Sequence, residues 1–410
     1  MKARTLVAVL CLGLVLGFGA EAVAQKAKGA AKGPDGKVIA AQLVKQVANV
    51  KEGEIVYIEG DVRDIDLLED LTIEVQKRGA HALLLLGREK FDRRWFDEVP
   101  EKYDAKRPTL AMKLWQLPSV QFIVWGSEFP GQLKHVPSSR MAAHSKAWEP
   151  FDQLVLKRNV RRVFLGNGLY PTAAMAKRFG MTKDQLAKVY WDGLGVDQAK
   201  LQAAAEAVRA VLARGKEVHL TNPNGTDLRF RIQNRPVLTS DGVISDAKAK
   251  KGGAAAWVYL PAGEVYTTSV PGTAEGKVVV DRSPFADGEI LGLTVTFKAG
   301  KVTTMTAKPS KEFDRLKALY AAAGPRKDEF GAIDIGVNPN VKIPKGSKLL
   351  TWVAEGMVTT GIGGNLDLGG DNSVAFGSYW HLPGSTLLVD GKPLVEKGVL
   401  KVPGLTTASR

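Results

Sequence analysis

The spacing of apolar positions divides the chain into two halves with different periods. In the first half, apolar runs at 54–59 and 82–86 flank an amphipathic stretch at 67–75. This order predicts a βαβ unit whose parallel strands are buried on both faces. Further strands are predicted at 120–125 and 162–165, and helices at 171–179 and 197–213. We therefore expect an α/β domain over residues 38–215, with a parallel-type sheet and flanking helices.

The second half consists of short alternating runs separated by glycine-rich turns. The segment 216–232 predicts a hairpin around Asn224-Gly225. One helix is predicted at 310–323. Further strands are predicted at 258–260, 277–280, 291–297, 349–352 and 386–390. Residues 216–410 are therefore expected to form a β-rich domain.

The first 24 residues have the composition of a secretory signal peptide. Lys2 and Arg4 precede an apolar run at 6–17, and Ala22-Val23-Ala24 supplies a cleavage site before Gln25. The alternative is a transmembrane anchor, but the run is shorter than the roughly 20 residues that span a bilayer. Residues 25–37 are small, polar and basic, which is typical of a flexible linker. We predict an exported protein, periplasmic or extracellular, without a transmembrane segment after cleavage.

Charge and cysteine content narrow the chemistry of the mature chain. Its only cysteine, Cys11, leaves with the signal peptide, so a disulfide or a thiol nucleophile is excluded. The net charge is +14, and loss of Lys2, Arg4 and Glu21 lowers it to +13. The basic residues are scattered without interleaved aromatics, so a nucleic-acid partner is not predicted. No glycine-rich phosphate loop follows a strand, and no GxSxG motif indicates a serine hydrolase.

One long segment of the second half carries a resemblance to a known family. VYLPAGEVYTTSVPGTAEGKVVVDRS, at 258–283, resembles the first metal-site segment of the thermophilic aminopeptidase T family of dinuclear, leucyl aminopeptidase-like metallopeptidases. FGAIDIGVNPNV at 330–341, AEGMVTTGIGGNLDLGG at 354–370 and WHLPGSTLLVDGK at 380–392 resemble later segments of the same family. The resemblance implies an aminopeptidase T-like two-domain fold and a homodimer.

The resemblance also places the family's metal ligands on residues of this chain. Glu264 keeps the first glutamate, whereas the second glutamate falls on Ala332, with Asp334 nearby as a shorter substitute. The first histidine falls on Thr359. His381 keeps the second histidine when its HL dipeptide sets the register.

The register at the end of the metal-site segments has two alternatives. With His381 as the second histidine, the final aspartate falls on Pro383. The other register puts that histidine on Tyr379 and the aspartate on His381. Either way, the resemblance implies a degenerate site in which the ligands at Ala332, Thr359 and Pro383 are lost.

The ligand set decides between two functions. A zinc site takes at least three protein ligands, and a two-metal hydrolase needs more. Glu264 and His381, helped by Asp334 or Glu355, would hold at most one zinc, cobalt or manganese-class ion, and no metal at all is an equal alternative. One hypothesis is an exported metallo-aminopeptidase with weak or lost activity. The other is a non-catalytic protein that binds peptides or a small envelope ligand in the same cleft.

Overall fold

The computed structural model describes residues 33–402. The predicted signal peptide, residues 25–32 of the predicted linker and residues 403–410 lie outside this range. The first helix begins at Gly36, so the linker predicted at 25–37 overlaps its first two residues. Within residues 33–402, no helix is both long enough and apolar enough to cross a bilayer.

The first sheet is parallel and has five strands in the order β2-β1-β3-β4-β8. This confirms the α/β architecture of the first half. Its strands are β1 Ile55–Asp61, β2 His81–Gly87, β3 Val120–Val124, β4 Arg161–Leu165 and β8 Trp257–Leu260. Helices α1 Gly36–Gln42, α2 Ile65–Lys77, α3 Glu89–Glu98, α4 Thr109–Leu114, α5 Ser138–Lys157, α6 Ala173–Arg178, α7 Lys183–Leu194 and α8 Gln198–Arg214 belong to the same half.

The strand predicted at 258–260 forms, but it joins the first sheet instead of the β-rich half. Val258 pairs with Val163 of β4 in parallel. All four residues of β8 are buried, as expected for a strand covered on both faces. The chain thus returns to the first sheet after the hairpin. The domain boundary near residue 216 stays a prediction.

Two antiparallel sheets make up the β-rich half. The second sheet has the order β12-β11-β10-β6-β5-β16-β17-β18, and the third has the order β15-β14-β13-β9-β7. The second comprises β5 Glu217–Asn222, β6 Thr226–Arg231, β10 Glu275–Phe285, β11 Gly288–Lys298, β12 Lys301–Thr306, β16 Thr386–Val389, β17 Lys392–Glu396 and β18 Val399–Leu400. The third comprises β7 Val237–Ser240, β9 Glu264–Thr268, β13 Phe330–Gly336, β14 Val358–Gly363 and β15 Gly377–Leu382, and the half also contains α9 Asp246–Lys251 and α10 Lys311–Ala322.

Aromatic packing joins the second and third sheets. The ring of Phe330 on β13 lies 4.8 Å from that of Phe230 on β6 and 5.4 Å from that of Phe297 on β11, between centroids. Such ring pairs add stabilisation beyond the area they bury. The third sheet is therefore anchored at this end by apolar contacts with the second.

The prediction of a strand at 349–352 is wrong, because this segment is irregular. Leu349 and Trp352 instead pack into an apolar cluster with Phe179 after α6, and with Leu186 and Tyr190 on α7. Apolar residues in a short run do not distinguish a strand from a packed loop. This packing carries Trp352 to the third sheet, where its ring contacts His381 and Tyr379.

Candidate functional site

Four polar residues lie side by side across the third sheet. In register, Tyr266 on β9 faces Asp334 on β13, Asp334 faces Thr359 on β14, and Thr359 faces His381 on β15. Directly opposed residues of antiparallel strands project to the same face. We call this set the polar row. Because strand residues alternate, Ile333 and Ile335 project to the opposite face.

The inner end of the polar row is sealed. Glu264 lies two residues before Tyr266 on β9 and therefore projects to the same face. Its exposed fraction is 0%, and that of Asp334 is 1%. Burial raises the pKa of Tyr266, and the negative charges of Tyr259, Glu264 and Asp334 add to that rise. Both carboxylates therefore act electrostatically on the Tyr266 phenol.

The outer end of the polar row is more open. Thr359 is buried and its Oγ1 lies 2.7 Å from Nδ1 of His381, whereas the His381 side chain is half-buried. The edge of the imidazole meets the Trp352 ring, with centroids 5.2 Å apart and planes at 89°. Tyr379 lies 5.7 Å from the same indole. We call Trp352 and Tyr379 the aromatic wall; Trp352 is buried, whereas Tyr379 is half-buried like His381.

Two glycines on this face allow the neighbouring backbone to approach closely. A Cβ on Gly361 would lie 2.2 Å from the carbonyl oxygen of Ser378, and a Cβ on Gly336 would lie 2.1 Å from that of Ala354. Backbone cannot move away from such contacts without loss of sheet pairing, so glycine is required at both positions. The Tyr379 hydroxyl donates to the carbonyl oxygen of Gly364 at 2.9 Å, which ties the loop after β14 to the sheet.

Comparison with known proteins identifies the family. The sequence profile described as thermophilic metalloprotease (M29) matches residues 37–321. The chain belongs to the M29 family. The resemblance inferred from the segment at 258–283 is thereby confirmed, and so is membership in a family of metal-dependent peptidases.

Two solved structures share the fold of this M29 chain at low sequence identity. Wild-type AmpT from Thermus thermophilus superimposes with a TM-score of 0.66 and 16% identity, over 90% of this chain and 99% of its own. The 2,5-dihydroxypyridine dioxygenase from Pseudomonas putida KT2440 gives 0.59 and 14%, over 90% and 97%. No protein with a curated description matches the chain. These likenesses establish the AmpT-like fold and no activity.

The structure brings some predicted site residues of this M29 chain together and separates others. Asp334, Thr359 and His381 are consecutive members of the polar row, and Ala332 lies two residues before Asp334 on β13. Pro383 is exposed in the turn after β15, where its carbonyl oxygen accepts a hydrogen bond from the Asn222 side chain at 2.9 Å.

Glu264 and His381 lie on strands separated by β13 and β14. Three strand spacings amount to roughly 14 Å between their backbones. Glu355, the other candidate helper, is in the turn that follows Ala354, and its backbone N–H donates to the carbonyl oxygen of Asn338 at 3.2 Å. It is therefore not a member of the polar row.

The described residues match poorly the dinuclear metal site that the family resemblance implies. Over residues 33–402, no three His, Cys, Asp or Glu side chains cluster so that they could hold a metal ion. The hydroxyl of Thr359 stands between the Asp334 carboxylate and the His381 imidazole. A zinc ion takes at least three nitrogen, sulfur or carboxylate ligands from the protein. The polar row supplies fewer of these than two ions require.

Two residues of the site were not singled out from sequence. Tyr266 shares the face of Glu264 and Asp334, and the alternation of β9 from Glu264 was the signal that could have identified it. Trp352 comes from an irregular segment, so no periodic signal existed for its position against His381.

Asn338, in the segment at 330–341, has a structural role. It is fully buried, and its side chain donates to the carbonyl oxygens of Gly193 and Ala262, which ties α7 to the start of β9.

Proposed function

We propose that this chain is an exported M29-family protein whose peptidase activity is weak or lost and which binds at most one divalent ion. One observation carries the proposal: a threonine hydroxyl lies in register between Asp334 and His381, where the family resemblance expects a histidine. A neutral hydroxyl is a poor substitute for imidazole as a zinc ligand. Peptides are the substrate class that membership in a peptidase family supports.

The chemistry of two-metal hydrolysis explains why this substitution matters. Paired ions acidify a bound water and stabilise both the attacking and the leaving atoms. That function needs carboxylates and imidazoles on each ion. Here the methyl group of Ala332 and the hydroxyl of Thr359 replace two of these groups, and Pro383 points into an exposed turn.

Metal content and turnover test this proposal together. The purified mature chain should contain one divalent ion or fewer by elemental analysis, and should hydrolyse leucyl-amide far more slowly than a complete family member. The triple variant Ala332→Glu, Thr359→His and Pro383→Asp should raise the metal content. A matched control, Ala323→Glu after α10, adds a carboxylate away from the site and should leave the metal content unchanged. Two tightly bound ions with rapid turnover in the wild type would refute the proposal.

A second candidate function is peptide or small-ligand binding without catalysis. The aromatic wall beside the half-buried His381 favours it, because aromatic side chains are common in sites that hold small ligands. The similar fold of a dioxygenase also shows that this architecture does not dictate hydrolysis. Calorimetry with a leucine-first peptide, in the presence of a chelator, would separate the two. Binding that persists without metal and without cleavage favours the binding function.

We also propose export to the periplasm or outside the cell, and assembly as a homodimer. The export proposal rests on the pattern of residues 1–24, and the dimer on the family resemblance alone. N-terminal sequencing of secreted material should begin at Gln25, and retention of Met1 would contradict export by cleavage. Light scattering of the mature chain should give twice the monomer mass.

A further inference from the structure

Strand β2 is an edge strand of the first sheet, and it differs from the strand at the opposite edge. Among residues 33–402 it pairs with β1 alone, whereas β8 is buried at all four positions. The strand HALLLLG contains no Lys, Arg, Asp, Glu or Pro, yet Leu83 and Leu86 have exposed fractions of 38% and 43%. Soluble proteins usually protect an edge strand with charged residues, proline or a covering segment. This apolar, uncharged edge therefore indicates a surface that another chain covers.

The hydrogen bonds of β2 show which of its backbone groups face outward. The N–H of His81 donates to the carbonyl oxygen of Glu54 at 2.8 Å, so His81 bonds on the side of β1. Successive residues of a strand direct their backbone groups to opposite sides of the strand. Ala82, Leu84 and Leu86 therefore direct their N–H and C=O groups away from β1. Within residues 33–402, no hydrogen bond joins these outward groups to another part of the chain.

A second copy of the chain satisfies these outward groups in one symmetric register. When two β2 strands lie antiparallel with Leu84 opposite Leu84, Ala82 of each copy lies opposite Leu86 of the other. The three outward residues then all fall in hydrogen-bonded pairs, which use every outward donor and acceptor. Between these pairs, Leu83 lies opposite Leu85, so apolar side chains meet on both faces. The register has a two-fold axis at the Leu84 pair, as a closed homodimer requires.

Charged residues at the two ends of β2 complement each other in the same register. Ala80 of one copy lies opposite Arg88 of the other. Glu52 lies beside this end of β2, because a Cβ on Gly79 would be 3.0 Å from the Glu52 Cγ. Glu52 and Arg88 are both exposed, and neither forms an ion pair with another residue in the range 33–402. The two-fold axis therefore brings each Glu52 near the Arg88 of the other copy.

We propose that two copies of this chain associate through the outer edges of their β2 strands, antiparallel about Leu84. Their five-stranded first sheets then join into one continuous sheet. The inference names the interface of the homodimer proposed above and rests on that assembly. It is independent of metal content and of peptidase activity.

Disulfide trapping in the mature chain tests the register directly. The chain from Gln25 onward contains no cysteine, so an introduced thiol has no other thiol of the same chain to join. Opposed residues of a hydrogen-bonded pair have Cα atoms about 5.5 Å apart, a distance that a disulfide spans. Leu84→Cys should therefore give a covalent dimer with oxidised glutathione, seen as a doubled mass on a non-reducing gel.

Leu83→Cys is the matched control for this experiment. Its side chain is more exposed than that of Leu84. In the proposed register its two copies are diagonal neighbours, roughly 7–8 Å apart and beyond the reach of a disulfide. It should therefore stay monomeric on the gel. No covalent dimer from a Leu84→Cys variant that folds by circular dichroism, or an equal yield from both variants, would overturn the register.

Substitutions that add charge supply a readout without cysteine. Leu86→Lys should raise the dissociation constant of the dimer roughly tenfold or more in sedimentation equilibrium. Leu291→Lys on β11, where the leucine has an exposed fraction of 40%, should leave it unchanged. Arg88→Glu and Glu52→Arg should each weaken the dimer, and the double variant should restore it.

The same measurement separates this interface from the assembly itself. Dimers that persist unchanged in Leu86→Lys and Arg88→Glu would overturn the β2 interface alone and leave a different protein as the occupant of the edge. A wild type that sediments as a monomer at every concentration would refute the homodimer, and this interface with it.

Discussion

Two sheets of this protein carry a line of polar side chains across their central strands, and the two lines differ in charge balance. In the first sheet, Arg162 Nε donates to Gln121 Oε1 at 2.8 Å, and Gln121 Nε2 donates to Glu59 Oε2 at 2.8 Å. The third sheet has the polar row, with Glu264 beside it. One line joins a cation to an anion through an amide, and the other places two carboxylates near a phenol, a hydroxyl and an imidazole.

The first line has the features of a structural network. The guanidinium of Arg162 lies over three rings, Trp115, Phe164 and Trp257, at 5.4, 4.7 and 4.8 Å from their centroids. Burial lowers the pKa of Arg162 to about 10, and the nearby charges of Tyr259, Glu59 and Asp152 oppose that shift. Burial also raises the pKa of Glu59, and the charge of Arg162 and the Gln121 hydrogen bond oppose that rise, so the members of this network partly compensate each other.

The polar row is chemically different. It contains no lysine or arginine, and its member Asp334 and the neighbouring Glu264 have exposed fractions of 1% and 0%. A buried carboxyl group is costly for folding unless hydrogen bonds or a counter-charge compensate it. Residues that keep such a cost are often retained for binding or chemistry. The contrast lies in composition: the first line joins an arginine to a glutamate, whereas the line in the third sheet has carboxyl groups and no arginine or lysine.

The largest expected effect comes from breaking the compensated line. Arg162→Met removes a charged hydrogen bond and three cation–π contacts, and it should lower the free energy of unfolding by about 3 kcal/mol. Urea denaturation measures it. Lys157→Met on the exposed end of α5 is the matched control and should change little. If Arg162→Met lowers the free energy of unfolding by no more than Lys157→Met does, the first line does not stabilise the sheet.

A smaller effect, this time a gain in stability, is expected from substitution of Asp92 on α3, which lies next to the first line. Burial raises its pKa to about 7, and the charges of Glu89 and Glu59 add to the rise. The folded state therefore binds the proton more tightly than the unfolded state does. Stability falls as the pH rises from the ordinary carboxyl pKa through 7, and the penalty is fully present above 7.

Asp92→Asn should remove that penalty. After allowance for partial solvent screening, we expect a gain of about 1–2 kcal/mol above neutral pH and little change in acid. Urea denaturation at several pH values gives the difference curve. Asp66→Asn, at an exposed position of α2, is the control. An equal gain at all pH values would show that titration of Asp92 is not its cause.

The same substitution type in the polar row sharpens the comparison. Asp334→Asn replaces a buried carboxyl group by a neutral amide of the same size, which lowers the desolvation cost, and we expect it to stabilise the fold by about 1 kcal/mol. Glu59→Gln in the first line removes the counter-charge of Arg162 and should destabilise instead. Thermal unfolding of both variants is the measurement. Destabilisation by Asp334→Asn would mean that the polar row contributes to the fold as the first line does.

Local patterns predicted most of the fold for identifiable reasons. The helix ending at Gly215 and the helix after Ser310 have side-chain or glycine signals at their ends, and both form there. The hairpin forms at Asn224-Gly225, where Gly225 takes φ of +100°. These elements depend on neighbours in sequence. Membership of β8 in the first sheet could not be predicted, because pairing with β4 is a long-range choice.

The candidate site was predictable only in part. The positions of Glu264, Asp334, Thr359 and His381 came from ordered motif resemblance, which says nothing about register. Their side-by-side order follows from antiparallel pairing of four strands distant in sequence. The contact of Trp352 with His381 depends on how an irregular segment packs on α6 and α7. No local period encodes such packing.

The smallest expected effect concerns the loop that follows β14. The Tyr379 hydroxyl donates to the carbonyl oxygen of Gly364 at 2.9 Å, and Asn365 donates from its side chain to that of Gly331 at 3.1 Å. Tyr379→Phe keeps the aromatic wall and removes one neutral hydrogen bond, which should lower the free energy of unfolding by about 1 kcal/mol or less. The global effect is small because the Asn365 bond remains.

Local opening of the loop should increase more clearly than global unfolding, so hydrogen exchange of the loop amides is the better measurement. Phe376→Leu, in the strand lead-in, controls for a change in ring packing alone. Faster exchange in residues 364–372 of Tyr379→Phe, with unchanged exchange in β5 and β6, is the expected result. Equal exchange in both variants and the wild type would show that the Tyr379 bond does not hold the loop against the third sheet.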